Sequence, residues 1–421
     1  MKYFVLLCDG AADRKKNEPG FKTPLEAAVK PTFNMLSYRS FNGYISGASN
    51  KFRADLDAAH VAALGYDPDS LDGLAAFDAE SIGVGLEPDD TALRCSFVTL
   101  SEDGKPYAEK ELVGCCACDI TKEETAKLIS ALNKGLSTKI KKFYPVSAGL
   151  GCLVWKRAPE CADLVSPDTV EGAIGAYLPS GSAAARLLPM FEKSYEILKD
   201  HPVNVKRREL GKKPLNSLWL WSPSKRPEFE PFAETRQISA ATVITRSPAL
   251  KGAALCAGMK TVDTPLADGA EDYAEAVRTV IDEFGSGVDL VMLHTESVAK
   301  AALSGDRDGK IKAIEAADSL ILAPVYEYLC GCGDQFKLLV HTVLPAPYED
   351  KKFADEHAPF FMYNSQRTEV GYKPFSEFNA GKGGFRLPDG CGYKFTSFMI
   401  RIPAPVEKEE TQQEDGQQQQ Q

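Results

Sequence analysis

The chain has 421 residues, with 59 acidic against 49 basic residues and a formal charge of −10. At 44% hydrophobic and 26% charged it has the composition of a soluble globular protein of about two domains. The acidic balance argues against a nucleic-acid partner, because neutralising phosphate needs a basic surface. The five histidines, His60, His201, His294, His341 and His357, limit any chemistry built on imidazole.

Lys2–Cys8 is apolar apart from Lys2 and runs into Asp9-Gly10. It predicts a buried parallel strand with an acid at its carboxyl end, where open α/β sheets bind ligands. Thr23-Pro24-Leu25-Glu26 has capping-box spacing with proline at the first helical position. A helix is expected over 55–64, stopped by Gly65, then a strand over 96–100. Thr121 and Glu124 open a helix over 121–134. A strand at 152–155 precedes a long amphipathic helix at 182–200, kinked or divided at Pro189 and stopped by Pro202. Strands are expected at 217–221 and 242–245, a helix at 250–258, a helix at 271–285 and a strand at 289–294. A helix at 310–317 and strands at 319–324 and 338–343 follow, and 360–363 and 395–402 close the ordered part.

Strands and helices alternate from about residue 236, which indicates a parallel α/β sheet. The middle of the chain is more mixed. The expected organisation is a discontinuous α/β core, 1–96 and 231–405, with a smaller α+β domain, 97–230, inserted in it. The tail, 406–421, is Gln-rich and too polar to order itself. No apolar run approaches the ~18 residues of a membrane span, and no signal-peptide core is visible, so a cytoplasmic protein is expected. The 11 cysteines then read as free thiols. Cys115, Cys116 and Cys118, with Cys330 and Cys332, could suggest zinc, but a second C-x-x-C is missing and buried thiols are preferred. Ile82-Gly83-Val84-Gly85 is too isolated for a nucleotide loop, and Lys206-Arg207-Arg208 reads as a solvated basic patch.

Several motifs occur in a fixed order: Val5 to Asp13, Thr23 to Ala28, Leu64-Gly65-Tyr66-Asp67-Pro68, Ser81-Ile82-Gly83, Pro88 to Cys95, Ser194 to Asn204, Asn216 to Trp221 and Lys310 to Glu315. Together they resemble the archaeal-type, cofactor-independent (2,3-bisphosphoglycerate-independent) phosphoglycerate mutases of the alkaline phosphatase superfamily, over about residues 1–403. The resemblance implies an alkaline-phosphatase-like parallel-sheet core with an inserted α+β domain. It implies interconversion of 2- and 3-phosphoglycerate in glycolysis. A serine would carry the phosphoryl group and two divalent metals, Mn or Mg, would activate it and clamp the transfer.

This chain departs from that pattern at the residues that carry the chemistry. Asp9 matches the first metal-ligand aspartate and is the only ligand position kept. The serine position is Leu56, which has no lone pair to attack phosphorus. The other ligand positions are Ala299, Leu303, Val343, Leu344 and Phe353. Substrate-binding cations are replaced at Leu74, within Cys116 to Asp119 and within Gly149 to Gly151. The resemblance therefore implies a catalytically inactive member that needs no cofactor and whose partner is an unidentified small molecule or protein. An active phosphomutase or phosphatase with a site rebuilt around Asp9, Asp55 and Asp57 is the alternative; a metal-free binding role for the interdomain cleft is a third. Asp13 with these carboxylates could hold a hard cation weakly, though solvated side chains are preferred. His294 is expected to be structural, with no carboxylate–histidine pair around it. His341 and His357 lie near the lost late motif, where the ligand positions are apolar.

Overall fold

The computed structural model describes residues 1–400 except 17, 46–48, 116–118, 162–163, 264–269, 368–369 and 389. The expected tail, 406–421, and Cys116 and Cys118 lie outside the described residues. The strands, in chain order, are β1 (Lys2–Cys8), β2 (Ser40–Ile45), β3 (Asp90–Leu100), β4 (Leu112–Cys115), β5 (Lys141–Ser147), β6 (Leu150–Lys156) and β7 (Ser217–Ser224). After these come β8 (Ala241–Ile244), β9 (Lys260–Val262), β10 (Leu290–Thr295), β11 (Phe336–His341), β12 (Ala358–Asn364) and β13 (Phe385–Arg386).

Eight strands form a sheet in the order β13-β2-β12-β11-β1-β10-β8-β9. The run from β11 through β1, β10 and β8 to β9 is parallel, and β12 is antiparallel to both β11 and β2. β1 sits in the middle because its residues are apolar on both faces. Phe4, Leu6 and Cys8 enter one core with Phe284, Leu293 and Ile321. Tyr3, Val5 and Leu7 enter the other with Ala58, Val61 and Leu250. β3, β4, β5, β6 and β7 form a second, antiparallel sheet in which β3 pairs with β4, β6 and β7. Helices Lys122–Leu136 and Gly181–Leu198 contribute Leu128, Leu132, Leu187 and Phe191 to the core it shares.

Helix Ala75–Ser81 lies between the two sheets. Phe77 packs into the large-sheet core, whereas Ala75, Ala76 and Ala79 pack with Ala92, Cys152 and Val154. Its close partner is helix Pro248–Cys256, and a Cβ on Gly252 would stand 1.9 Å from the Phe77 carbonyl oxygen. Only glycine permits that approach.

Two sequence expectations are corrected, and the last described stretch is helical. Residues 319–324 are helical: a π-turn, Ala317–Leu322, leads into helix Ala323–Gly331. Pro324 has no N–H to give to the preceding turn, and the ladder widens just before it. Residues 395–400 belong to helix Lys394–Ile400, with Phe395, Thr396, Met399 and Ile400 buried at helical spacing. Helix Gly181–Leu198 runs through Pro189 instead of dividing there. Among the described residues, no helix is long and apolar enough to cross a membrane.

Candidate functional site

Four elements bring a carboxylate and three imidazoles to one end of the large sheet. Asp9 follows directly on β1. Leu7, two residues earlier, is paired in register with His294 on β10 and with His341 on β11. Alternation along the strands therefore sends Leu7, His294, His341 and Asp9 to one face. Helix Leu56–Leu64 covers that face. Asp55 caps it by accepting the N–H groups of Asp57 and Ala58, and Gly65 ends it in the left-handed conformation. This phase places His60 inward, in a run otherwise made of Ala, Val and Leu.

Asp9 Oδ2 lies 2.9 Å from His60 Nε2 and 2.6 Å from His294 Nε2. All three side chains are fully buried. The two rings meet edge-on, 4.7 Å apart. His294 Nδ1 is 2.8 Å from Thr245 Oγ1, which also accepts the N–H of Ser247. Burial alone would raise the Asp9 carboxyl, but His294 and His60 outweigh it and hold the group below the usual carboxylate range. Burial likewise works against charging His60, and the Asp9 carboxylate reverses it, so its pKa is raised. His341 has no such bond: burial pushes it down to about 4, with Asp9 pulling up and His60 pushing down. Asp9 Oδ1, His60 Nδ1 and His341 Nε2 are buried without a hydrogen-bond partner.

The expectation that His294 lacks a carboxylate partner is overturned by its 2.6 Å contact with Asp9. His60 was not singled out as a site residue from the sequence. The available signal was a single histidine on the buried face of a short apolar helix, because a buried imidazole needs a partner. Three of the five histidines thus stand around or beside Asp9, while His201 caps helix Pro202–Glu209 and His357 lies against Tyr44.

The oxygen-rich cluster does not assemble. Asp13 bonds Lys310 at 2.7 Å, Asp57 bonds Arg94 at 2.6 Å, and Asp55 is taken up as a helix cap. Arg94 also bonds Asp78 at 2.7 Å, and Lys310 donates to the carbonyls of Ala12 and Ala346. These buried cations are committed to protein acceptors.

The remaining family positions are packed, not open. Leu56 and Phe353 lie half-buried against the core that contains Val343 and Leu344. A Cβ on Gly10 would meet Ala346 Cβ at 2.9 Å and Ala299 Cα at 3.1 Å, so backbone closes over the end of β1. Leu303 is 39% exposed and points away from that packing. Val343 has φ of +57°, a left-handed conformation that aspartate or asparagine adopts far more readily than a β-branched residue. Ala299, Leu303, Val343, Leu344 and Phe353, the positions that the resemblance assigns to further ligands, carry no side-chain donor for a second ion. Among the described residues, Asp9, His60 and His294 are the group whose ligand atoms converge closely enough to hold one ion.

Solved structures show the same fold. A Pyrococcus horikoshii protein superposes with a TM-score of 0.72 at 22% identity, covering 96% of this chain and 99% of that one. The cofactor-independent phosphoglycerate mutase of Thermoplasma acidophilum gives 0.58 at 24% identity, covering 95% and 99%. The family profile described as 2,3-bisphosphoglycerate-independent phosphoglycerate mutase matches residues 38–204. The mutase of that name from Methanothrix thermoacetophila is 32% identical over 395 residues, 93% of this chain and 97% of the relative. Its counterpart from Methanosarcina barkeri is 33% identical over 397 residues, 92% and 96%. The chain belongs to the 2,3-bisphosphoglycerate-independent phosphoglycerate mutase family.

Proposed function

We propose that this chain is a family member that no longer transfers phosphoryl groups and keeps the fold to bind an unidentified small molecule or protein in the cytoplasm. The observation that carries this reading is the site itself. Leu56 stands at the nucleophile position, and the retained Asp9 is sealed between two histidines with none of its surface exposed. In-line transfer needs an attacking lone pair and cations on the transferring group. The chain supplies neither there. The buried cations support the same conclusion: Arg94 is held by Asp57 and Asp78, and Lys310 by Asp13, so neither is free for a phosphorylated acid. The mutase name of the relatives describes a reaction these replacements remove.

The test is turnover of 3-phosphoglycerate by purified protein with added Mn²⁺ or Mg²⁺, followed by coupled assay and by phosphorus NMR. No 2-phosphoglycerate above the uncatalysed background is expected. Turnover near that of an ordinary mutase would overturn the proposal in favour of a rebuilt active site.

A further inference from the structure

We propose that Asp9, His60 and His294 form a single-ion site for a late first-row divalent metal, zinc foremost, in place of the family's metal pair. This rests on the reading that the two-metal centre is gone. The ligand atoms of the three residues lie within 4.8 Å of one another. Both Nε2 atoms and the Asp9 carboxylate are aimed at one point, at 2.6 and 2.9 Å from Oδ2. An ion about 2.0–2.2 Å from each ligand requires separations of about 3.3 Å, so the two contacts would open by about 0.7 and about 0.4 Å.

Two further observations point to a cation. The first is the set of orphaned polar atoms. Asp9 Oδ1 and His341 Nε2 are buried with no hydrogen-bond partner, where partners are the rule. His341 flanks Leu7 on the side opposite His294 and lies beside the converging group, not within it. The second is the support behind His294. Its Nδ1 is held by Thr245 Oγ1, the outer hydrogen bond that fixes a ligating imidazole with Nε2 turned to the metal. One carboxylate with two imidazoles is a donor set for zinc or its neighbours in the series, not for the oxygen-seeking Mg²⁺. A divalent ion also supplies the counter-charge that a buried carboxylate needs.

None of the three ligands is exposed, so the ion enters as the chain folds. Loading is therefore done during expression, in medium supplemented with Zn²⁺ or Co²⁺. The full chain, passed through gel filtration, is analysed for metal by plasma emission and, for the cobalt form, by visible absorption. One equivalent of zinc per chain and cobalt d–d bands are expected. His60→Gln and His294→Gln should each lower occupancy at least about ten-fold. Thr245→Val keeps every ligand and the packing volume, and should weaken binding about 10–100-fold, so the proposal stays testable if the histidine variants fail to fold. Metal-free wild-type protein from loaded cultures, or unchanged zinc content in the three variants, would overturn the site. Metal-free protein without turnover overturns this site but leaves the proposed function standing. Two metals per chain with mutase turnover overturns both.

Discussion

Arg94 joins the two sheets, and replacing it by methionine tests whether that guanidinium is structural or free. In the folded chain Arg94 is 4% exposed and Asp78 is completely buried. Their bond is 2.7 Å, a second reaches Asp57 at 2.6 Å, and the guanidinium lies 5.1 Å from the Trp221 ring. Arg94→Met leaves Asp78 without its counter-ion, which costs about 3–5 kcal/mol. Burial already raises the Asp78 carboxyl to about 6, although Arg94 pulls it down. Because that value lies above the unfolded 3.8, the native state holds the proton more tightly, and stability falls as pH rises between the two. Each pH unit in that window removes about 1.4 kcal/mol. Without Arg94 the window extends further upward, so the difference from wild type should be small near about pH 5 and complete by about pH 8. Urea unfolding followed by circular dichroism at the two pH values measures this. Arg94→Met combined with Asp78→Leu should recover much of the loss. A loss below about 1 kcal/mol, or one equally large at both pH values, would refute the argument and leave Arg94 available to an anionic ligand.

Leu56→Ser alone should give no mutase activity, because the hydroxyl would lack the two-metal clamp that the transfer needs; measurable turnover in a coupled assay would contradict the assignment of that position. Gly252→Ala should cost about 3 kcal/mol or more, read as a lower urea midpoint, since the new Cβ would lie 1.9 Å from the Phe77 carbonyl oxygen. Glu377 is half-buried, and desolvation raises its pKa to about 7 against hydrogen bonds that include the Asp13 N–H and the Thr23 hydroxyl. Its contribution is lost as pH rises from 4.5 to about 7 and amounts to about 3 kcal/mol over that range. Glu377→Gln should flatten this part of the stability–pH curve, measured by thermal unfolding across the window.

The parts of the fold visible in the sequence are those written in short-range chemistry. Thr23 with Glu26 and Thr121 with Glu124 do form capping boxes. Asp55 and Gly65 bracket their helix as the residue types require. Lys2–Cys8 is a central parallel strand because it is apolar at every position after Lys2. One error fell where a short apolar run fits either period. Residues 319–324 are too brief for the pattern to choose, and packing against the sheet decides for helix. The apolar residues at the proposed ligand positions are assigned by register with the flanking prolines. The Asp9–His294 contact could not be read in this way, since 285 residues separate the pair. Only the knowledge that β1 and β10 are neighbours, with Leu7 opposite His294, brings them together.

The central place of β1 also sets a timetable for the chain. Its neighbours are β10, beginning at Leu290, and β11, ending at His341, so the first strand made must wait for nearly the last. At about 5–20 residues per second, its apolar face stays unsatisfied for roughly 15–60 s of synthesis. The antiparallel sheet, by contrast, is contiguous from β3 to β7 and can form while β1 is still waiting. Such long-range closure is slow and leaves strand edges open to other chains. The Asp9–His60–His294 cluster therefore comes together among the final events of folding, and a chaperone that shields Phe4 to Cys8 early on would govern the yield of native protein.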